Sequence, residues 1–233
     1  MNIHELHIKL KEKNPEWTPQ NEIYRYTVQR YANRDATVLD IGCGRTNYMA
    51  EVYSRVQKVI GLDPDIEALS ENTAVQIKLS GGFEQLSKLS DQSIDIAVSS
   101  WVMEHIDNPD LMFTELKRIM KSGSRFISLT PNKHSLITKL SRITPNFLHK
   151  AIVKKIWGRE EKDTYPTKYL LNDEKTIRNY AEKYGFIVEE LQYLPDPTYY
   201  VFDTRLFDII VNLHTKYIRK SQYEGLIFVL RKI

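Results

Sequence analysis

The residues that most clearly indicate a ligand site are two glycines that follow a short apolar run, Thr37-Val-Leu-Asp-Ile-Gly42-Cys-Gly44. Glycine has no Cβ, so the backbone can approach a ligand closely at both positions. The helix predicted beyond the turn would point its free N–H groups at that ligand. A nicotinamide dinucleotide site would need a third glycine where Asn47 stands, and a carboxylate at Asp40 would repel a pyrophosphate. The pattern therefore indicates a site that accepts a cationic ligand.

Two histidines follow predicted strands and could act as general bases. His105 comes after the run 93–100, and His134 comes after the run 125–130. Ligands of open α/β sheets bind outside the carboxyl ends of the strands, where both side chains would lie. An imidazole at that edge could take a proton from a nucleophile. A helix-capping or packing role is the alternative for each histidine.

Short apolar runs that alternate with helical patterns must position these residues. Runs of this kind are typical of parallel strands that are covered on both faces. Their alternation with helices predicts a doubly wound parallel α/β sheet. We predict strands at 37–42, 58–63, 74–79, 93–100, 125–130, 186–193 and 225–232, and helices at 21–31, 46–56, 65–72, 109–120, 173–184 and 204–217.

Three segments, in order and at suitable spacing, resemble motifs of the class I S-adenosylmethionine (SAM)-dependent methyltransferases. They are 38–47, 59–63 and 93–106, and the third is similar to small-molecule enzymes of ubiquinone and menaquinone biosynthesis. The resemblance implies that Asp40 and the glycine turn hold the amino-acid part of SAM. It also implies that Asp63 accepts hydrogen bonds from the ribose hydroxyls, which suits a carboxylate. The implied fold is a Rossmann-like sheet of seven strands, mostly parallel, with one antiparallel strand near the C-terminus.

The same resemblance implies further cofactor contacts. Arg25 would lie near the SAM carboxylate, and Gly82 and Phe83 would meet adenine through backbone groups, because Gly82 stands where the family usually has an aspartate. Trp101 replaces the first glutamate of a Glu-x-x-Glu-His metal cluster found in some relatives, so no metal is expected. The other implied cofactor-binding residues are Pro64, Ser99 and Ser100.

Composition limits the class of protein. The chain has 233 residues, 33 Lys and Arg against 30 Asp and Glu, and a single Cys. One Cys excludes a disulfide framework and is typical of a reducing compartment. No apolar run approaches the ~20 residues that span a bilayer, and residues 1–13 do not form a signal peptide. We therefore predict one cytoplasmic domain over 1–233, with N-terminal helices in 1–34 and a helical cap inserted at 133–170.

The basic residues are concentrated in the predicted cap. Residues 133–159 hold seven Lys or Arg and no acid, which leaves 26 bases against 30 acids elsewhere. Three interpretations stay open: the solvated face of a packed cap, contact with an anionic acceptor or a membrane surface, and RNA binding. RNA is the weakest of them, because no RNA-binding module is recognisable.

The resemblance implies an enzyme that moves a methyl group from SAM to a small-molecule acceptor or to a lipid- or glycan-linked one. Oxygen is the acceptor atom that the family favours, with carbon and nitrogen open. Two alternatives remain, namely an RNA methyltransferase and a catalytically silent SAM-binding partner subunit. A nicotinamide oxidoreductase is disfavoured by Asn47 and Asp40.

Overall fold

A seven-stranded mixed sheet organises the chain. The computed structural model describes residues 3–143 and 165–233. The strand order is β3-β2-β1-β4-β5-β7-β6, and all neighbours are parallel except β7, which runs antiparallel to both β5 and β6. The strands are β1 (Thr37–Ile41), β2 (Lys58–Asp63), β3 (Ile77–Ser80), β4 (Ile94–Ser100), β5 (Met120–Pro131), β6 (Phe186–Leu194) and β7 (Gly225–Lys232).

Helices cover the sheet where the sequence supplies both a cap and an apolar stripe. The helix at Pro109–Ile119 begins after Asn108, whose side chain accepts from the Leu111 N–H, and its first residue is proline. The helix at Glu174–Tyr184 ends at Gly185, which has φ +76°. The helices are α1 (Ile3–Lys13), α2 (Gln20–Tyr31), α3 (Ala50–Tyr53), α4 (Ile66–Glu71), α5 (Pro109–Ile119), α6 (Leu136–Ile143), α7 (Glu174–Tyr184) and α8 (Phe207–Tyr217).

Two apolar cores lie on the two faces of the sheet, as expected for strands buried on both sides. One core joins alternate residues of β1, such as Leu39, to Met112 and Leu116 of α5. The other joins Val38 of β1 to Tyr24 and Val28 of α2. Successive side chains of β1 therefore point into opposite cores. The ends of the strands can then form a site.

A third, smaller core connects the beginning and the end of the chain. Leu6 and Leu10 of α1 pack with Trp17, and with Val201 and Phe207 at the start of α8. The Trp17 indole N–H also donates to the Pro195 carbonyl at 2.8 Å. Helix α8 is thereby anchored through one face only.

The predicted α/β architecture is confirmed, including the single antiparallel strand, but several bounds differ. The predicted helix 46–56 contracts to α3, and the predicted strand 74–79 is displaced to β3. Strand β5 begins at Met120, five residues earlier than predicted. In the predicted cap, α6 is described, whereas residues 144–164 lie outside the described residues. Within the part of the chain that is described, no helix is long and apolar enough to cross a membrane.

Candidate cofactor and active site

The candidate site lies where the parallel strands β1, β2 and β4 end. Strand β1 pairs with β2 on one side and with β4 on the other. The chain leaves β1 toward β2 and leaves β4 toward β5, so a crevice opens between the ends of β1 and β4. Gly42 and Gly44 follow β1 with φ +69° and +50°, values that suit glycine. A Cβ on Gly42 would lie 2.3 Å from Val102 Cγ2. The glycine at 42 is thus required by both backbone conformation and space.

Asp63 ends β2 beside this turn. Its Oδ2 accepts from the Gly44 N–H at 2.8 Å, and its Oδ1 accepts from the Asp65 N–H at 2.9 Å. Burial raises the pKa of the Asp63 carboxyl above its usual range, although these two bonds oppose the shift. Each carboxylate oxygen still has a lone pair for one further donor. The group can therefore receive two adjacent hydroxyls.

Asp40 stands on β1 and turns toward the same crevice. Its Oδ2 accepts from the Tyr53 hydroxyl at 2.8 Å. Burial, with a smaller contribution from Asp63, raises the pKa of Asp40 from 3.8 to about 7, and the Tyr53 bond opposes the shift. Among the described residues neither carboxylate has a Lys or Arg partner. Buried Asp63 and half-buried Asp40, with no cation beside them in the described part of the chain, form a site for a positively charged ligand.

Asp40→Asn is expected to stabilise the free protein at pH 8 by about 2 kcal/mol, because a carboxyl with a raised folded-state pKa opposes folding once it ionises. The cost grows between the unfolded value of 3.8 and about pH 7, and it is fully present above that. Tyr53 can still donate to the asparagine oxygen, so the hydrogen bond is retained.

Thermal melting of both proteins at pH 8 and pH 5 measures this effect. The difference in Tm is expected to be several degrees at pH 8 and to shrink at pH 5, where Asp40 is protonated in the folded protein. An asparagine variant that melts below the wild type at pH 8 would contradict the assignment of Asp40 as an acid whose ionisation opposes folding.

Asn72 fixes the glycine turn by hydrogen bonds from its side chain, a role that was not predicted from the sequence. Its buried amide donates to the carbonyls of Cys43, Gly44 and Thr46 at 3.2, 3.0 and 3.3 Å. The Asn47 side chain accepts from the N–H groups of residues 73 and 74. These bonds keep residues 42–49 out of helical conformation, which explains why α3 is short. No sequence signal marks Asn72, because its partners lie 26–29 residues away.

His105 occupies a short 3-10 turn after β4, at the edge of the site. Its Nδ1 lies 3.1 Å from the carbonyl of Pro166. Because a carbonyl can only accept, Nδ1 carries the proton, and in the neutral ring Nε2 keeps a lone pair. Tyr165 packs edge-on against the imidazole at 5.9 Å between ring centroids, and the His105 side chain is 29% exposed. The ring is held in place yet reachable by a substrate.

A buried polar chain supports this turn. Glu104 Oε1 lies 3.8 Å from His105 Nε2, and Glu104 Oε2 accepts from the Thr130 hydroxyl at 3.3 Å. The Asn172 amide donates to the Thr130 hydroxyl at 2.6 Å. The Glu104 carbonyl also accepts from the N–H of Lys168 at 2.7 Å, which draws residues 165–169 over the histidine. Thr130 and Asn172 were not predicted, because only the fold brings them next to Glu104.

The other predicted catalytic residue lies in a different environment. His134 is exposed on the turn between β5 and α6, and its backbone N–H donates to Asn132 Oδ1 at 3.0 Å. The first residue of the basic segment, Lys133, pairs with the Asp173 carboxylate. The cation at 133 is therefore balanced by an acid outside the segment. The geometry favours His105 over His134 as the base.

Several predicted cofactor-binding residues also have protein partners. Arg25 donates to Glu22 at 2.6 Å and lies 3.4 Å from Glu51, so its guanidinium is occupied at the surface of α2. The Ser99 hydroxyl is fully buried and donates to Ser128 Oγ at 2.8 Å. The side chain of Ser99 thus serves the sheet, and only its backbone can meet a ligand.

The remaining predicted contacts lie along the strand ends. Pro64 is exposed immediately after Asp63, and Ser100 ends β4 partly buried. The Gly82 N–H donates to Glu84 Oε1 at 2.9 Å, and Phe83 packs against the core. The Gly82 N–H is therefore engaged by the Glu84 carboxylate, and the adenine contact stays a prediction.

Trp101 occupies the position of the missing metal-binding glutamate. It has φ +59°, and its indole N–H donates to Asn21 Oδ1 of α2 at 2.9 Å. This contact ties β4 to the N-terminal helices. Over residues 3–143 and 165–233, no three His, Cys, Asp or Glu side chains gather in an arrangement that could hold a metal ion.

Comparison with known proteins agrees with this geometry. Residues 39–128 match the methyltransferase domain family, a span that includes the glycine turn, Asp63 and His105. A probable S-adenosylmethionine-dependent methyltransferase of Mycolicibacterium smegmatis is 31% identical over 127 residues, which are 53% of this chain and 48% of that protein. A ubiquinone biosynthesis O-methyltransferase of Maricaulis maris is 30% identical over 105 residues, which are 42% of this chain and 41% of that protein.

The fold is shared more completely than the sequence. The structure of a SAM-dependent methyltransferase from Archaeoglobus fulgidus superposes with a TM-score of 0.57 and 20% identity, covering 97% of this chain and 99% of that one. The chain spans less than half the length of the two curated relatives described above. The matched sequence therefore centres on the strands and turns that build the crevice.

Proposed function

Since the chain belongs to the class I SAM-dependent methyltransferases, we propose that it transfers the methyl group of SAM to an oxygen of a small-molecule acceptor or of a lipid- or glycan-linked one. SAM is the cofactor of this family. We further propose that residues 1–233 act as one domain, with the N-terminal helices in 1–34 and a cap in 133–170.

The observation that supports this proposal most is the carboxylate pair Asp40 and Asp63, neither of which has a cationic partner among residues 3–143 and 165–233. SAM carries an ammonium group, a sulfonium and a vicinal diol. The two free lone pairs of Asp63 suit the diol, and Asp40 suits the positive charges. Gly42 and Gly44 leave the backbone open to close approach by the ligand. The donor and charge pattern of the crevice thus fits SAM.

Methyl transfer needs an aligned nucleophile more than it needs a reactive side chain. Bound SAM supplies a methyl group on a sulfonium sulfur, which is a good leaving group. When an acceptor hydroxyl forms the new O–CH₃ bond and the S–CH₃ bond breaks, the hydroxyl proton must leave. His105 Nε2, with Nδ1 fixed by Pro166, is the group that would take it.

Oxygen and an apolar acceptor are the finer parts of the proposal. The Maricaulis maris relative is named an O-methyltransferase, which supports oxygen by similarity over the matched residues. Tyr165 packs on His105, and Tyr169 follows three residues after the Pro166 carbonyl. Aromatic rings with polar tips suit the walls of a pocket for an apolar or phenolic acceptor. An anionic acceptor and membrane contact through 133–159 remain predictions, because residues 150, 154, 155 and 159 lie outside the described residues.

Two measurements test the proposed function. Calorimetry is expected to detect binding of SAM and no binding of NADH, because the turn lacks the dinucleotide glycine pattern. Labelled SAM should then transfer its methyl group to a member of a panel of phenolic, glycan-linked and lipid-linked hydroxyl compounds. Binding of NADH without SAM would contradict the proposal. SAM binding with no methylated product across the panel would favour the silent partner-subunit alternative.

A further inference from the structure

Helix α8 has a second apolar face that no described residue covers. Phe207, Val211 and His214 form its buried face. The opposite face continues into the turn before the helix and presents large apolar side chains at steps of three and four residues. Its members, here called the α8 stripe, are Phe202 (66% exposed), Leu206 (46%), Ile209 (56%), Leu213 (51%) and Tyr217 (62%).

Exposed apolar residues that are scattered singly are ordinary. Three of them on one face of α8, with two more in the turn before it, are different, because a contiguous patch marks an interaction site. Helical spacing places Leu206, Ile209, Leu213 and Tyr217 in one row along α8. An amphipathic helix in a small domain needs only one apolar face to fold, and α8 already has that face. The α8 stripe is therefore available to a partner.

Three exposed cations lie at one end of the stripe. Lys216, Arg219 and Lys220 are exposed, and no carboxylate in 3–143 or 165–233 forms an ion pair with them. The two acids near the stripe are already neutralised, since Asp208 pairs with Lys13 at 2.7 Å and Asp203 pairs with Arg205 at 2.7 Å. The surface therefore combines a row of apolar side chains with a net positive end.

The neighbouring helix α6 has a similar combination of residues. Leu136 and Leu140 are 45% and 44% exposed, and Lys139 between them is also exposed. Tyr200 links the two elements, because its hydroxyl accepts from the Ile137 N–H at 3.3 Å and its ring lies 5.8 Å from His214 of α8. Exposed leucines and lysine are thus found on both helices that Tyr200 connects.

We propose that the α8 stripe docks the protein on an anionic lipid surface. An interfacial helix inserts apolar side chains at the level of the headgroups, while its lysines and arginines contact anionic phosphates. Lys216 lies over the Tyr217 ring at 5.2 Å. When the ring inserts into the lipid, this pairing keeps the ammonium at the level of the headgroups. A second copy of the chain fits less well, because Asp203 and Asp208, the acids beside the stripe in the described part of the chain, already pair with Arg205 and Lys13.

Vesicle sedimentation with the full chain tests this proposal without requiring methyl transfer. The wild type is expected to bind vesicles of 70% phosphatidylcholine and 30% phosphatidylglycerol, and to bind pure phosphatidylcholine much less. Ile209→Glu/Leu213→Glu should lower the partition coefficient at least tenfold. Neutralising Lys216, Arg219 and Lys220 with glutamine should lower it roughly a hundredfold on anionic vesicles and weaken its salt dependence.

The matched control is Ile66→Glu/Ile77→Glu, which adds the same two charges at apolar positions that are 70% and 39% exposed elsewhere on the domain. It should bind vesicles like the wild type, and thermal melting should show that all variants fold. Absence of binding by the wild type, or equal loss in the control, would overturn the proposal. So would sedimentation equilibrium showing a dimer that Ile209→Glu/Leu213→Glu dissociates, with no vesicle binding.

Discussion

Asp63→Ala is expected to weaken SAM binding about 100-fold. Hydrogen bonds to a charged group contribute about 1.5–3 kcal/mol each, and the variant loses a carboxylate proposed to accept from two ribose hydroxyls. The carboxyl is presented for this task because the Gly44 and Asp65 N–H groups fix its plane. Titration calorimetry with SAM and with S-adenosylhomocysteine measures the loss, which should be similar for both ligands because both have the diol.

The same bonds mean that removing Asp63 also loosens the glycine turn, so a second variant must separate the two effects. Asn72→Ala removes the three hydrogen bonds that the Asn72 amide donates to carbonyls of the turn. It leaves the Asp63 carboxylate in place. The discriminating ligand is SAM that lacks the 2′-hydroxyl. Wild type and Asn72→Ala should both bind it more weakly than SAM, whereas Asp63→Ala should bind the two equally. Discrimination that survives in Asp63→Ala would show that the ribose assignment is wrong.

The architecture was predictable because burial leaves a strong pattern in parallel strands. Runs such as 58–63 and 225–232 are apolar on both faces, and the structure forms strands with those same bounds. Helix α5 was equally clear, since Asn108 caps it and an apolar stripe faces the core. Local rules act within a few residues, and these elements obey them.

The parts of the site that were missed depend on contacts between distant residues. Pro166 meets His105 across 61 positions, and the Asn172 amide reaches Thr130 across 42. Periodicity and propensity carry no information at such separations. Arg25 was predicted to contact the ligand from the resemblance alone and stays a prediction, while only the fold shows that Glu22 and Glu51 contact its guanidinium.

His105→Ala is expected to slow methyl transfer to the hydroxyl acceptor found by screening about 10²–10⁴-fold, with little change in SAM affinity. The reason is the fixed tautomer, in which Nδ1 donates to Pro166 and Nε2 keeps the lone pair that takes the proton. Steady-state kinetics of both proteins with this acceptor measure the loss of rate, and titration with SAM measures the affinity.

Two variants distinguish base catalysis from a positional role. The amide nitrogen of His105→Asn stands near the position of Nδ1, so it can still donate to the Pro166 carbonyl and keep residues 165–169 over the site, but it cannot accept the proton. If asparagine restores the rate, His105 acts by holding that segment and the base assignment is wrong. His134→Ala is the parallel test of the other candidate, whose side chain is exposed on the turn after β5. A large loss there, with His105→Ala close to wild type, would move the base to His134. The geometry around Pro166 predicts the opposite order.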